Sequence, residues 1–148
     1  MKTIKFILPI LLMTLSVFSQ EKPTEIVETF FKNYQKESIS IALDNLYKSN
    51  KWITRNTDAI TNLKSQMEGF NVDYVGNYQG HELIVEKRLT ESYLLLSYMV
   101  KFDRQPIRYT FQFYKPKDKW IIYSFKFDAN IDDEIEEAAK LYYLNLND

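Results

Sequence analysis

Tyr93-Leu94-Leu95-Leu96-Ser97-Tyr98-Met99-Val100-Lys101-Phe102 is followed, after Asp103-Arg104-Gln105-Pro106, by Ile107-Arg108-Tyr109-Thr110-Phe111-Gln112-Phe113-Tyr114. Side chains of a strand alternate between its two faces. In the first run that alternation puts Leu94, Leu96, Tyr98, Val100 and Phe102 on one side. In the second it does the same for Tyr109, Phe111 and Phe113. Two strands, 93–102 and 107–114, are therefore expected, and so short a connection makes them antiparallel neighbours.

The same period extends both ways from this pair. Upstream, 71–79 and 82–89 read as strands, with turns at Gly80-His81 and Thr90-Glu91-Ser92. Downstream, 120–128 reads as a strand after the turn Lys115-Pro116-Lys117-Asp118-Lys119. The expected sheet is an antiparallel meander of these five segments. Its apolar face collects Val72, Tyr74, Tyr78, Leu83, Val85, Leu89, Leu94, Leu96, Tyr98, Val100, Phe102, Tyr109, Phe111, Phe113, Ile121, Tyr123, Phe125 and Phe127. The opposite face carries Glu82, Ile84, Glu86, Arg88, Leu95, Ser97, Met99, Lys101, Arg108, Thr110, Gln112, Trp120, Ile122, Ser124 and Lys126.

An apolar sheet face has to be covered, and the segment before the sheet has the period to do so. Pro23 and Thr24 open a helix whose stripe is Ile26, Val27, Phe30, Phe31 and Tyr34. A second helix around Ser40–Tyr47 carries Leu43, Leu46 and Tyr47. A third runs from Thr57, as N-cap, through Ala59, Ile60, Leu63 and Met67 to a stop at Gly69. From Asn130 to about Asn145 a last helix has Ile131, Ile135, Ala138 and Tyr142 on its apolar stripe. Its first turns hold Asp132, Asp133, Glu134, Glu136 and Glu137, which suits the positive end of the helix dipole. The class is α+β: three N-terminal helices packed on a curved antiparallel meander, a conical roll, plus a C-terminal helix.

Composition bounds the chemistry. The 148 residues include 19 Lys+Arg, 20 Asp+Glu, one His and no Cys. The near-neutral balance argues against nucleic-acid binding. The lack of Cys excludes disulfides, thiolate metal sites and a cysteine nucleophile, and one His argues against multi-His metal sites. No cofactor or metal is expected. Met1–Ser19 (MKTIKFILPILLMTLSVFS) has the layout of an export signal: Lys2 and Lys5, an apolar run from Phe6 to Val17, then small residues. Cleavage is expected between Ser19 and Gln20, with the mature domain, residues 20–148, periplasmic or extracellular and without an integral membrane segment.

General acid–base catalysis requires a carboxylate or imidazole at the reacting proton. The expected inner face holds no Asp or Glu; besides tyrosines, only Lys87 and His81 are ionisable there. A carboxylate would have to come from a helix or loop, for which Asp44 and Asp58 are the candidates. No catalytic residue is assigned. A small apolar ligand held in an open end of the roll would meet Tyr34, Trp52, Tyr98, Tyr109 or Tyr123, with His81 at the rim. The mixed outer face fits either a solvated sheet or a homodimer contact.

Three segments resemble the nuclear transport factor 2-like (cystatin-like α/β cone) superfamily, and in particular its small secreted bacterial members. They are the helix Thr24–Tyr34 with its Phe30-Phe31 pair, Gly76-Asn77-Tyr78-Gln79-Gly80-His81-Glu82, and the hairpin Phe113-Tyr114-Lys115-Pro116-Lys117-Asp118-Lys119-Trp120-Ile121-Ile122. The likeness spans about 24–128 and implies helices closing a cone-shaped sheet. Enzymes of that superfamily, among them isomerases, dehydratases and hydrolases, place a carboxylate with Tyr or His inside the cone. The acid-free inner register departs from that pattern, so no catalytic role transfers. The expectation is a non-enzymatic binding or interaction module. Its alternatives are a lyase, isomerase or hydrolase of the ketosteroid-isomerase type, and an envelope accessory protein that meets a protein partner.

Overall fold

The structure, a computed structural model, describes residues 21–143. The segment read as an export signal lies outside the described residues, as does the helix end beyond Tyr143. Among the described residues the order is α1 (Pro23–Lys36), α2 (Ile39–Tyr47), a 3-10 turn (Ile53–Arg55), α3 (Thr57–Glu68), α4 (Val72–Val75), β1 (Tyr78–Thr90), β2 (Tyr93–Phe102), β3 (Pro106–Tyr114), β4 (Ile121–Asp128) and α5 (Ile131–Tyr143). The four strands pair antiparallel in the order β1-β2-β3-β4. The fold is α+β, with helices on an open meander sheet.

Local chemistry sets the helix starts. Pro23 stands in the first turn of α1, where no backbone N–H is needed, and the Glu25 carboxylate accepts from the Lys22 N–H at 2.9 Å. Ser38 Oγ caps α2 by accepting from Ile41 N–H at 3.2 Å. The α3 cap is Asn56 rather than Thr57: its Oδ1 accepts from Ala59 N–H at 3.4 Å.

The core lies between α1, α2 and the face of Leu94, Leu96, Tyr98, Val100, Phe102, Tyr109, Phe111 and Phe113, all buried. Phe30 of α1 anchors it, with its ring 5.2 Å from that of Phe111 and 5.5 Å from that of Phe125. Burying one such side chain contributes ~1.5–3 kcal/mol. In β2 and β3 the strand alternation and the burial agree at every residue but Ser97, which is buried on the opposite face.

The expected strand 71–79 is replaced by the single turn α4. Val72 and Tyr74 are two apart, as a strand face requires, while Val72 and Val75 have the spacing of one helical turn, and local hydrogen bonds decide for the turn. Asn71 Oδ1 accepts from Tyr74 N–H at 3.1 Å, and the turn closes at Gly76 with φ 89°. The Asp103 carboxylate of the β2–β3 turn then accepts from Asn77 N–H at 2.7 Å and from Gln79 Nε2 at 2.6 Å. Gly80 and His81 are not a turn either: they lie within β1, opposite Lys101 and Val100.

Two irregularities reverse the expected faces. In β1 the pairing shifts between Leu83 and Val85, so Val85 stands opposite Ser97 and Lys87 opposite Leu95, on the outer side. Glu86 and Arg88 stand opposite the buried Leu96 and Leu94, so the inner register of the edge strand does carry an acid. In β4 the shift lies where Phe113 pairs Ile122 while Gln112 pairs Ser124, leaving Tyr123 as the extra residue. Ile122 is consequently fully buried, and Tyr123 is 56% exposed. Ile121, paired with Tyr114, takes the outer register, and Trp120 packs partly against the core. The outer face keeps Leu95 and Met99 half-buried around the buried Ser97. Arg108 ties α5 to the strands there through Asp128 and Glu134.

Candidate functional site: a cleft at the β4 edge

β4 is an edge strand, and its backbone is met by the chain leaving α2. Asn50 Nδ2 donates to Ile122 O at 2.6 Å, while Ser49 Oγ accepts from Ile122 N–H at 3.1 Å. Both main-chain groups of Ile122 are thus satisfied by side chains, as a buried strand edge requires. Asn50 Oδ1 also accepts from Trp52 N–H at 3.0 Å, which fixes the start of the 3-10 turn. Asn50 itself is buried.

This staple holds the turn against β4, while α3 stands farther out. The α3 residues Ile60 and Leu63 are only half-buried, and Met67 alone of that helix is buried. Between them opens a cleft of about 700 Å³ lined by Tyr47, Asn50, Trp52, Ile53, Asn56, Ala59, Ile60, Leu63, Tyr114, Pro116, Ile121, Tyr123 and Phe125. That volume lies within the range of small-molecule sites, and the walls are mainly apolar and aromatic. No carboxylate belongs to the lining. Tyr47 is its deepest phenol, and burial pushes that group up to about 12, so it stays a neutral hydrogen-bonding group. Trp52 is 62% exposed; the Arg55 guanidinium lies 4.5 Å and Lys51 Nζ 5.4 Å from its ring centre.

A second polar cluster sits under α1 at the β1 edge. His81 stacks on Phe31 with ring centres 3.7 Å apart. Its Nδ1 is 2.6 Å from Tyr78 Oη, and its Nε2 is 3.3 Å from Glu28 Oε1. Burial, with the Glu28 charge adding, raises Tyr78 to about 12. The depression beside it is lined by Gln35, Tyr78, Gln79, Gly80 and His81, and Glu28 is outside that lining.

The six residues expected around one ligand fall into two places. Trp52 and Tyr123 meet in the cleft. Tyr34, Tyr98, Tyr109 and His81 belong to the packed aromatic cluster around Phe30 and Phe31, where Tyr98 and Tyr109 are buried. Burial lifts the Tyr109 phenol well above its ordinary range, the neighbouring Tyr34 adding to the effect. Asp44 is used in an ion pair with Lys64 at 2.6 Å, and Asp58 stands in the first turn of α3. Sequence reasoning missed Asn50 as the staple and Ile60 and Leu63 as cleft wall. The α3 stripe with Ile60 and Leu63 is legible in the sequence, but how much of it is left uncovered, and which side chain meets the β4 backbone, is set by tertiary placement.

Among the described residues, no group of three or more metal-ligating side chains comes together, and no helix is long and apolar enough to cross a membrane. No protein-family model, no curated protein and no solved structure matches the chain.

Proposed function

We propose that this domain is an exported, non-enzymatic binding module that holds a small apolar ligand in the cleft between α3 and the β4 edge. The observation that carries the reading is the contrast between the two ends of the molecule. The aromatic interior under α1 is filled, and the cleft of about 600 Å³ beside Tyr34, Tyr78 and Phe102 also has Glu37 and Glu68 in its lining, whereas the β4 cleft is apolar and free of carboxylates, with Trp52 and Tyr123 exposed at it. Exported placement rests on the layout of Met1–Ser19. Membership of the nuclear transport factor 2-like superfamily rests on the three segments named above and on the element order of helices followed by a meander.

The test uses the Trp120→Phe variant, which leaves Trp52 as the single indole reporter. Titration with neutral 1-decanol is expected to change its emission saturably. Ala59→Phe, which fills the cleft from an exposed helix position, is expected to weaken that response roughly ten-fold, equivalent to ~1.4 kcal/mol. A linear, unsaturable response unaffected by Ala59→Phe would overturn the reading.

The Glu28–His81–Tyr78 array favours a second reading, proton transfer in an isomerase- or lyase-type reaction. Carboxylate, imidazole and phenol stand in sequence, the arrangement by which a base is oriented. Against it, Glu28 is outside the lining of the shallow depression, and the Tyr78 phenol holds its proton. Under this reading, deuterium exchange into simple ketones would be catalysed and His81→Asn would abolish it. Exchange no faster than in buffer would exclude it.

A further inference from the structure

We propose that the ligand of the cleft is an anionic amphiphile: a free, single-chain molecule whose apolar body lies between α3 and β4 and whose carboxylate-type head is held at the rim by Lys51 and Arg55. The proposal rests on the binding reading above and adds the ligand's charge.

Both elements at the mouth of the cleft are basic, although the whole chain has a formal charge of −1. The segment Lys48–Asn56 contains Lys48, Lys51 and Arg55 and no acid. The β3–β4 turn, which contributes Pro116 to the lining, contains Lys115, Lys117 and Lys119 against Asp118. The acids on the bordering helices and strand are Asp58 in the first turn of α3, Glu68 at its far end, Asp44, which pairs with Lys64, and Asp128, which pairs with Arg108; none of them belongs to the lining. Lys48 is engaged by the neutral Asn45 Oδ1 at 2.6 Å. Lys51 and Arg55 form no ion pair among the described residues, whereas Lys64, Lys101, Arg108 and Lys140 each do. Neither Lys51 nor Arg55 belongs to the lining itself, but both lie over the ring of Trp52, which does, so the two cations border the cleft at that residue.

The chemistry at the two ends of the site differs accordingly. The floor offers Phe125, Ile60 and Leu63 with a neutral Tyr47 phenol, and a carboxylate there would lose its hydration without a charge partner. At the rim the same carboxylate keeps part of its water and accepts charge-assisted hydrogen bonds from a guanidinium and an ammonium. A cleft of about 700 Å³ suits one medium-length chain rather than a folded partner.

The experiment compares decanoate, 1-decanol and decyltrimethylammonium, each below its aggregation threshold, with the Trp120→Phe protein. Decanoate is expected to bind about five- to ten-fold more tightly than decanol, and the cation more weakly than either. The decanoate advantage should shrink with added salt. In the double variant Lys51→Gln/Arg55→Gln, with both positions exposed, decanoate should lose its advantage and bind no more tightly than decanol. Equal binding of all three heads to the parent would overturn the anionic assignment and leave the apolar cleft standing. Failure of all three to bind would overturn both readings. Binding of anionic phospholipid vesicles but not of monomeric decanoate would assign the rim to a membrane surface and overturn the proposal.

Discussion

Gly76 adopts φ 89° with extended ψ, a region open almost only to glycine, and a Cβ there would lie 2.5 Å from Asp103 Cβ. Gly76→Ala should therefore cost at least ~1–3 kcal/mol, read as a lower urea midpoint with an unchanged slope. A midpoint equal to wild type would show that the junction is not closed this way. Its partner Asp103 has a carboxyl held below the ordinary carboxylate range, first by the Asn77 backbone N–H and then by the Asn77 and Gln79 side chains. A depressed folded-state value means that the contribution to stability is present above the unfolded value of about 3.9 and is lost as pH falls through the folded one. Asp103→Asn should lower the urea midpoint at pH 7, and the gap from wild type should close as pH falls below the native carboxyl's range. A gap independent of pH would contradict this role.

At the scale of elements, what could be read from the sequence depended on regular pairing. β2 and β3 pair without a shift, so alternation alone places Leu94, Leu96, Tyr98, Val100, Phe102, Tyr109, Phe111 and Phe113 on the buried face. The α1 stripe of Val27, Phe30 and Phe31 was legible for the same reason, a period unbroken over three turns. Bulges add one residue and reverse every face beyond them, and no residue type in 83–85 or 121–124 announces one. That is why alternation misplaces Glu86, Ile122 and Tyr123; α4 escapes it for another reason, the Asn71 cap and the turn at Gly76. The β4 reversal has a direct check. Ile122→Asp should destabilise by on the order of 3–5 kcal/mol, since it leaves a charge unpaired in the core, whereas Tyr123→Asp should leave thermal stability nearly unchanged. The reverse ranking would place Tyr123 inside. Asn50→Ala should cost ~1–3 kcal/mol through the lost bonds to Ile122 O and Trp52 N–H, and should weaken ligand binding as the turn loosens. A variant as stable as wild type would remove Asn50 as the staple.

The whole molecule is asymmetric about its core. On the β1 side, Glu28, His81, Tyr78 and Tyr34 close over packed rings. On the β4 side, α3 stands off and leaves apolar wall. Of the six site residues foreseen from sequence, Tyr34, Tyr98, Tyr109 and His81 belong to the aromatic cluster into which α1 presses Phe30 and Phe31. The cleft depends on what α3 does not cover, a quantity set by tertiary placement and not by any local pattern. The central claim is that ligand enters at the β4 edge and not between α1 and the sheet. Methyl-resolved NMR of the protein during titration with decanoate tests it most directly. The account predicts concentration-dependent shifts of the Ile53, Ile60, Leu63 and Ile121 methyls while those of Leu96, Val100 and Ile107 stay fixed. Shifts confined to Leu96, Val100 and Ile107 would contradict it.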